Sequence, residues 1–161
     1  MKRVSYISKF VVVLVVSLLV GLAGCQGKAA GGISSQSLAG RSIALTAIFK
    51  NKDGKPLAKT GVRLTKKDQT VLFTTDANGT LVIADFPTDV SVLLAVMDAT
   101  GKTQSEAQIQ CAAAAVTDAY TDENGTVQVS IADNCTKMTL VFTLDETGKM
   151  NCSLQPQNAT T

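Results

Sequence analysis

The sequence predicts an all-β domain, an antiparallel β-sandwich, that follows an N-terminal signal helix and a flexible linker. Short runs rich in Val, Ile, Leu and Thr recur from residue 42 onward. Asn-Gly and Thr-Gly signals, which supply the positive φ that tight turns need, separate these runs. A length of 161 residues leaves room for one such domain.

The N-terminus has the zones of an export signal. Lys2, Arg3 and Lys9 give it a positive start, and an apolar run covers residues 10–23. This run is too short to cross about 30 Å of hydrocarbon, which takes roughly 20 residues. It fits the apolar region of a signal peptide, so we predict that residues 1–24 are removed.

The signal ends in a short box of small residues before a cysteine. Leu22-Ala23-Gly24-Cys25 resembles the lipobox of bacterial lipoproteins. The resemblance implies a thioether-linked diacylglycerol on Cys25, cleavage before it, and an acyl chain on the new amine. No other cofactor is predicted. The alternative is an ordinary secretory signal with an incidental cysteine.

The residue after the box bears on location. Gln26, and not Asp, follows Cys25. The resemblance therefore implies the outer membrane in a two-membrane host, or the outer face of the cytoplasmic membrane in a one-membrane host. Residues 25–41 are rich in Gly, Ala and Ser and are predicted to be a flexible linker. The domain is predicted over 42–155, with a tail at 156–161.

Strand-like runs fill the domain at a regular spacing. Eight or nine short strands with turns between them are typical of a β-sandwich. A short helix is considered only for residues 106–116, because this segment is rich in Ala. The predicted strands cover residues 42–50, 62–65, 70–75, 80–84, 90–97, 126–131, 137–144 and 150–154.

An ordered series of turns and strands lies between Phe49 and Asp98. Its motifs are Lys52-Asp53-Gly54-Lys55-Pro56-Leu57, Gly61-Val62-Arg63-Leu64, Thr74 to Gly79, Asp85-Phe86-Pro87 and Val90-Ser91-Val92-Leu93. The series resembles the transthyretin-like, carboxypeptidase-regulatory-like and collagen-binding B-type modules of bacterial surface proteins. The resemblance implies a seven-stranded Ig-like fold, with 104–124 as an insertion and 149–155 as an extra strand.

Three cysteines follow Cys25. Three thiols allow at most one internal disulfide. Pairing the last two strands around residues 145–148 places Cys152 opposite Val141, roughly 20 Å along the strand from Cys135. We therefore expect Cys111 to be a partner if a bond exists, with Cys152 first and Cys135 as the alternative. Three free thiols are the remaining alternative.

The composition argues against catalysis and against metal binding. The chain has no His to act as a base, and the cysteines lack Cys-x-x-Cys spacing. We predict no catalytic residues, no metal site and no enzyme activity.

Charge bears on the partners. After removal of residues 1–24 the chain has 12 basic and 13 acidic residues, which gives no support for a nucleic-acid partner. The basic residues concentrate in 41–67 and the acidic ones in 68–133. This segregation indicates a solvated face or a basic patch that meets anionic headgroups or glycopolymers.

These expectations combine into one function with two alternatives. We expect a lipid-anchored, non-enzymatic envelope module for binding, adhesion or structure. Its partners would be the membrane, through the lipid, and an envelope protein or glycan. The first alternative is an accessory or sensor subunit that pairs with a partner protein through an edge strand. The second alternative is a small hydrolase.

Overall fold

The computed structural model describes residues 38–155, and these residues form ten strands and no helix. The all-β class is confirmed, and no helix in this part of the chain could cross a membrane. The predicted signal peptide, Cys25, most of the predicted linker and the predicted tail 156–161 lie outside the described residues. The strands are β1 Ser42–Asn51, β2 Gly61–Lys66, β3 Gln69–Thr74, β4 Thr80–Pro87, β5 Val92–Met97, β6 Thr103–Ala113, β7 Asp118–Thr121, β8 Val127–Ile131, β9 Lys137–Leu144 and β10 Met150–Leu154.

All ten strands join in one hydrogen-bonded sheet. Its order is β3-β2-β5-β6-β8-β7-β10-β9-β1-β4, so β3 and β4 are its two edges. The predicted antiparallel arrangement is wrong at two places, because β1 and β9 run parallel, as do β6 and β8. After β6 the chain turns back to form β7, and it turns back once more to form β8. Strand β8 then lies between β6 and β7 and runs in the direction of β6.

The sheet closes over a single core. Alternate residues of β1 and β9 are buried, as the two-residue period of a strand requires. Phe49 of β1 stacks on Phe142 of β9, with ring centroids 5.1 Å apart and planes 14° apart. Buried residues of β2, β5, β6, β8 and β10 belong to the same hydrophobic cluster. Both halves of the sheet therefore share one interior.

The segment 106–116, for which a short helix is one prediction, lies mostly in strand β6 and is not helical. Glu106, Gln108 and Gln110 are exposed, whereas Ala107 and Ile109 between them are buried. This strict alternation fits a strand that is buried on one face. Tertiary packing overrides the high helix propensity of the alanines. Only a strand buries Ala107 and Ile109 on one face while the polar residues between them stay exposed on the other. The segment is thus a strand of the sheet, paired with β5 and β8.

Five chain reversals share one hydrogen-bond pattern. In each, the side-chain oxygen of an Asn or Asp accepts backbone N–H groups from the second and fourth residues after it. The third residue after it is a glycine with φ between 70° and 81°, which donates its N–H back to the Asn or Asp carbonyl. The five residues are Asn51, Asp76, Asp98, Asp122 and Asp145.

These turns account for a sequence echo at offsets of 46 and 47 residues. Asp76–Thr80 recurs as Asp122–Thr126, and Asp98–Lys102 recurs as Asp145–Lys149. The second turn of the first pair joins two neighbouring strands, β7 and β8, whereas the first joins β3 and β4, the two opposite edges. The first pair therefore shares turn chemistry but not a strand pairing, whereas both turns of the second pair close antiparallel hairpins, β5–β6 and β9–β10.

Strand directions place all five turns at the same end of the sheet, which we name the turn end. The opposite end, the linker end, holds residues 38–41 and the loops 67–68, 88–91, 114–117 and 132–136. Leu38 is buried in the core cluster. Within the described residues, the packed part therefore includes Leu38, which lies inside the segment predicted to be linker.

Arg41 fastens the start of β1 to the linker end. Its Nη2 donates to the carbonyls of Ala132, Asp133 and Cys135 at 3.0, 2.9 and 2.6 Å. Hydrogen bonds from a charged donor are stronger than neutral ones. The guanidinium thus holds the loop between β8 and β9 against the first strand.

The glycine of the second turn has no space for a side chain. A Cβ on Gly79 would lie 2.5 Å from the Phe49 carbonyl oxygen and 2.9 Å from the Leu57 nitrogen, whereas Gly101 has open space. Gly101→Ala meets only the left-handed backbone cost, about 1 kcal/mol. We expect Gly79→Ala to lower the free energy of unfolding by about 3 kcal/mol or more. Denaturant unfolding of both variants tests this, and equal losses would contradict it.

The turns also predict an acid-sensitive stability. Hydrogen bonds from Thr100, Gln128 and Thr147, respectively, are the largest cause that lowers the pKa values of Asp98, Asp122 and Asp145 below the ordinary 3.8. Their contribution is present above that pH and is lost as the pH falls through the lowered values. We expect the unfolding free energy to decline below about pH 4.

The matched control replaces all three aspartates with asparagine. The Asn51 turn has the same hydrogen bonds with an amide oxygen, so the triple variant should keep its turns. Its unfolding free energy should depend less on pH over the same acid range. An unchanged pH dependence would show that these carboxylates are not the source.

Candidate functional site

A depression lies at the linker end of the described residues. Its volume is about 800 Å³ and it is open to solvent. Three stretches of chain meet there, namely the first described residues, the loop between β4 and β5, and the end of β6. The lining residues are Leu38, Ala39, Thr88, Asp89, Val90, Ser91, Gln110, Cys111, Ala112 and Ala113.

Hydrogen bonds between the first residues and the β4–β5 loop hold one wall of the depression. The buried Thr88 donates from Oγ1 and from its backbone N–H to the Arg41 carbonyl, at 2.9 and 3.2 Å. The Gly40 N–H donates to Asp89 Oδ2 at 3.2 Å. The wall is therefore built where the linker joins the domain. The amino-acid sequence does not reveal this wall, because its parts are far apart in the chain and carry no common motif.

Cys111 is the chemically distinctive group of the depression. It is half-buried, and burial raises the pKa of its thiol to about 11. Cys152, buried on β10, has its pKa raised to about 12 for the same reason. Because the thiolate is the reactive form, both groups are poor nucleophiles at neutral pH.

The preferred disulfide between Cys111 and Cys152 is not formed, and both are free thiols. Through the strand registers Cys111 aligns with Val129, then Ala119, then Leu154. Cys152 therefore lies three strand spacings from Cys111 and two residues before Leu154 on β10. Three spacings come to roughly 14 Å, beyond the reach of a disulfide.

The other cysteine predictions have mixed outcomes. Cys152 pairs with Phe142 and not with Val141, one residue from the predicted register. Because Cys111 is a free thiol, the alternative pair Cys111–Cys135 is also not formed. Cys25, the predicted lipidation residue, lies outside the described residues.

The basic stretch 41–67 does not form one patch. Arg41 and Lys66 lie towards the linker end, whereas Lys52 and Lys55 belong to a turn at the other end. Lys52 forms an ion pair with Glu146 at the turn end. Charges that are segregated in the sequence are therefore mixed on the fold, because successive strands carry them to opposite ends.

The turn aspartates do not gather into a metal site. No group of three or more potential metal-binding side chains occurs within residues 38–155. In each turn Oδ1 already accepts two backbone N–H groups. The polar groups of the depression are the side chains of Asp89, Ser91 and Gln110 and the neutral thiol of Cys111. They suit weak polar contacts with a ligand.

Comparisons with known proteins add little to this geometry. No protein-family model and no curated protein matches the sequence. Klebsiella pneumoniae 5-hydroxyisourate hydrolase is similar in structure, with 16% identity and a TM-score of 0.43, over 71% of this chain and 99% of that one. A 9R-lipoxygenase from Cyanothece PCC8801 has 14% identity and a TM-score of 0.32, over 83% of this chain and 20% of that one. At these TM-scores the likenesses identify neither a fold family nor an activity.

The state of the two thiols can be measured directly. In the native protein at neutral pH we expect slow alkylation of Cys111 and Cys152, because burial keeps them protonated. After denaturation without reductant, peptide mass analysis should find the label on both. A Cys111→Ser variant serves as control and should lose only the first label. Labels that appear only after reduction would contradict the free thiols.

Proposed function

We propose that this chain is a lipid-anchored lipoprotein of the cell envelope, whose domain is a non-enzymatic binding, adhesion or structural module. The observation that carries the proposal is Leu22-Ala23-Gly24-Cys25 directly behind the apolar run. A diacylglycerol thioether and an acylated amine on Cys25 would supply two or three chains, enough for durable anchoring. In a two-membrane host the anchor would lie in the outer membrane. In a one-membrane host it would lie in the outer face of the cytoplasmic membrane.

The fold supports an arrangement in which the linker end faces the membrane. Twelve residues separate Cys25 from Leu38, which is buried in the core cluster. A Gly/Ser-rich coil of this length has an end-to-end distance of roughly 20 Å. The turn end would then face away from the bilayer. Loops that a rigid scaffold positions commonly carry recognition, so the five turns are the surface that we assign to a glycan or protein partner.

The non-enzymatic part of the proposal rests on the chemistry of the nucleophiles. Burial holds the Cys111 and Cys152 thiols in their neutral form. The chain contains no His that could deprotonate them or a serine. The depression is open, whereas small-molecule sites commonly enclose most of their ligand. These observations favour binding over turnover.

The finer fold assignment is part of the same proposal. We assign the domain to the transthyretin-like group of Ig-like modules on the turn and strand motifs between residues 52 and 93. Strands β2, β3, β4 and β5 coincide with that series. On the same motifs β8 and β9 would be the last two strands of the module, and β6, β7 and β10 would be additions of this chain.

A second candidate function has its own observation. An accessory or sensor subunit would pair with an envelope protein through an edge strand. Strand β3 is such an edge, and its Val71 and Leu72 are 51% and 68% exposed.

The anchoring test compares Cys25→Ser with Cys111→Ser in the full chain. We expect the natural protein in the membrane fraction, with an intact mass that lacks residues 1–24 and includes the acyl chains. Cys111→Ser should have the same location and acylation. Cys25→Ser should lack the acyl mass and the cleavage before residue 25.

Two results would overturn the anchoring proposal. One is Cys25→Ser that remains in the membrane fraction at the processed size. The other is a Cys25 sulfur that proves to be disulfide-bonded, since one sulfur cannot also carry the thioether. Intact mass before and after reduction separates these forms, because reduction of a disulfide adds two hydrogens.

A further inference from the structure

Strand β3 is an edge with the features of a pairing surface. Its sequence Gln69–Thr74 contains no charged residue and no proline. Two of the five exposed large hydrophobic residues of the described chain, Val71 and Leu72, lie on it. Edges of this kind attract another strand unless they are protected.

The opposite edge differs. Strand β4 carries the exposed Asp85 and ends at Pro87, and charges and prolines are common protections of sheet edges. Its one strongly exposed hydrophobic residue is Val82. The contrast singles out β3 as the unprotected edge.

The backbone of β3 directs a defined set of groups outwards. Lys66 and Gln69 flank a two-residue turn and close the β2–β3 hairpin as a hydrogen-bonded pair. Alternation along the strand then turns odd-numbered residues towards β2, and the N–H of Thr75 indeed donates to Thr60. The even-numbered residues therefore direct N–H and C=O towards solvent. They are Thr70, Leu72 and Thr74.

We propose that β3 pairs antiparallel with β3 of a second copy of this chain, about a two-fold axis at Leu72. The three outward-directed residues are symmetric about Leu72, so Leu72 would face Leu72 of the second copy and Thr70 would face Thr74. Each pair exchanges two backbone hydrogen bonds, which makes six in all. A shift of two residues would leave one of the three residues without a pair.

The side chains fit the same register. Val71 lies opposite Phe73 of the second copy, on the face where Phe73 already packs against the core. The two Leu72 side chains meet on the other face. Both exposed hydrophobic residues thus gain apolar neighbours, which supplies the favourable burial that isolated backbone pairing lacks.

The charges at the two ends of the strand match only as net charges. The hairpin tip Lys66-Lys67-Asp68 carries a net positive charge, and the acidic Asp76 follows the other end of β3. With Leu72 on the axis, Asp76 of each copy aligns with Asp68 of the other, and Lys66 and Lys67 on the same tip lie next to these two carboxylates and offset their repulsion. Surface charges of this kind add little to stability.

The assembly is a closed dimer, because the two-fold axis uses up both β3 edges. The linker ends of the two copies then point in opposite directions. Thirteen residue steps from Cys25 to Leu38 reach at most roughly 45 Å, and the ten residues of β1 span roughly 33 Å. The tether proposed above would reach one membrane from both copies, but only on two facing membranes would each copy keep its turn end directed away from its own bilayer. The pairing itself does not depend on the lipid.

The test is disulfide trapping in the full chain under mild oxidation. In a hydrogen-bonded pair the Cα atoms are about 5.5 Å apart, within disulfide range. Leu72→Cys should therefore give a covalent dimer. Thr70→Cys should not, since its counterpart is Thr74, and the double variant Thr70→Cys/Thr74→Cys should. Val82→Cys on the other edge is the control for random collision, and Cys111 and Cys152 are common to all variants.

Hydrogen exchange on the unmodified protein gives an independent readout. The Leu72 and Thr74 amides should become protected as protein concentration rises, and Leu72→Lys should abolish this protection while Val82→Lys leaves it. Equal trapping of Leu72→Cys and Val82→Cys overturns the proposal, as do amides that exchange freely at every concentration. Protection that appears only with an added envelope extract assigns the edge to another protein and overturns the second-copy partner.

Discussion

A side-chain oxygen that accepts two backbone N–H groups defines each of the five reversals at the turn end. The oxygen satisfies donors that a tight turn would otherwise leave to water, and the following glycine adopts the left-handed conformation that closes the loop. The strands on either side start and stop at these points, so their registers depend on them. Gly79 adds a tertiary role, because its backbone lies against the Phe49 carbonyl. The turn between the two sheet edges is thereby fastened to β1.

The mixed direction of the strands decides what the domain can present. Strand β1 has a neighbour on each side, the parallel β9 and the antiparallel β4. Its alternate residues are buried in the core. The curled sheet leaves two edges that are not equivalent. One carries an acidic residue and a proline, and the other is uncharged and apolar. Lipid anchoring and edge pairing are thus separate hypotheses that use different parts of the chain.

Most of the strand positions could be predicted because β-branched runs and turn signals are local features. The eight predicted strands correspond to β1–β5 and β8–β10. Strand β6 was obscured by alanines, although its alternation of Glu, Gln and apolar residues was visible. Strand β7 has only four residues, too few for a clear period. The depression could not be predicted, since its walls come from stretches that only the fold brings together.

The sequence by itself determined the all-β class and the Asx-Gly turns, and it alone predicts the export signal with its cysteine box. These depend on spacing and side-chain chemistry within a few residues. Only the tertiary structure decided the parallel pairs, the separation of Cys111 from Cys152 and the mixing of charges over both ends. The physical reason is that strand order is set by the burial of whole faces against one another. A two-residue period states which face is buried but not which strand lies beside it.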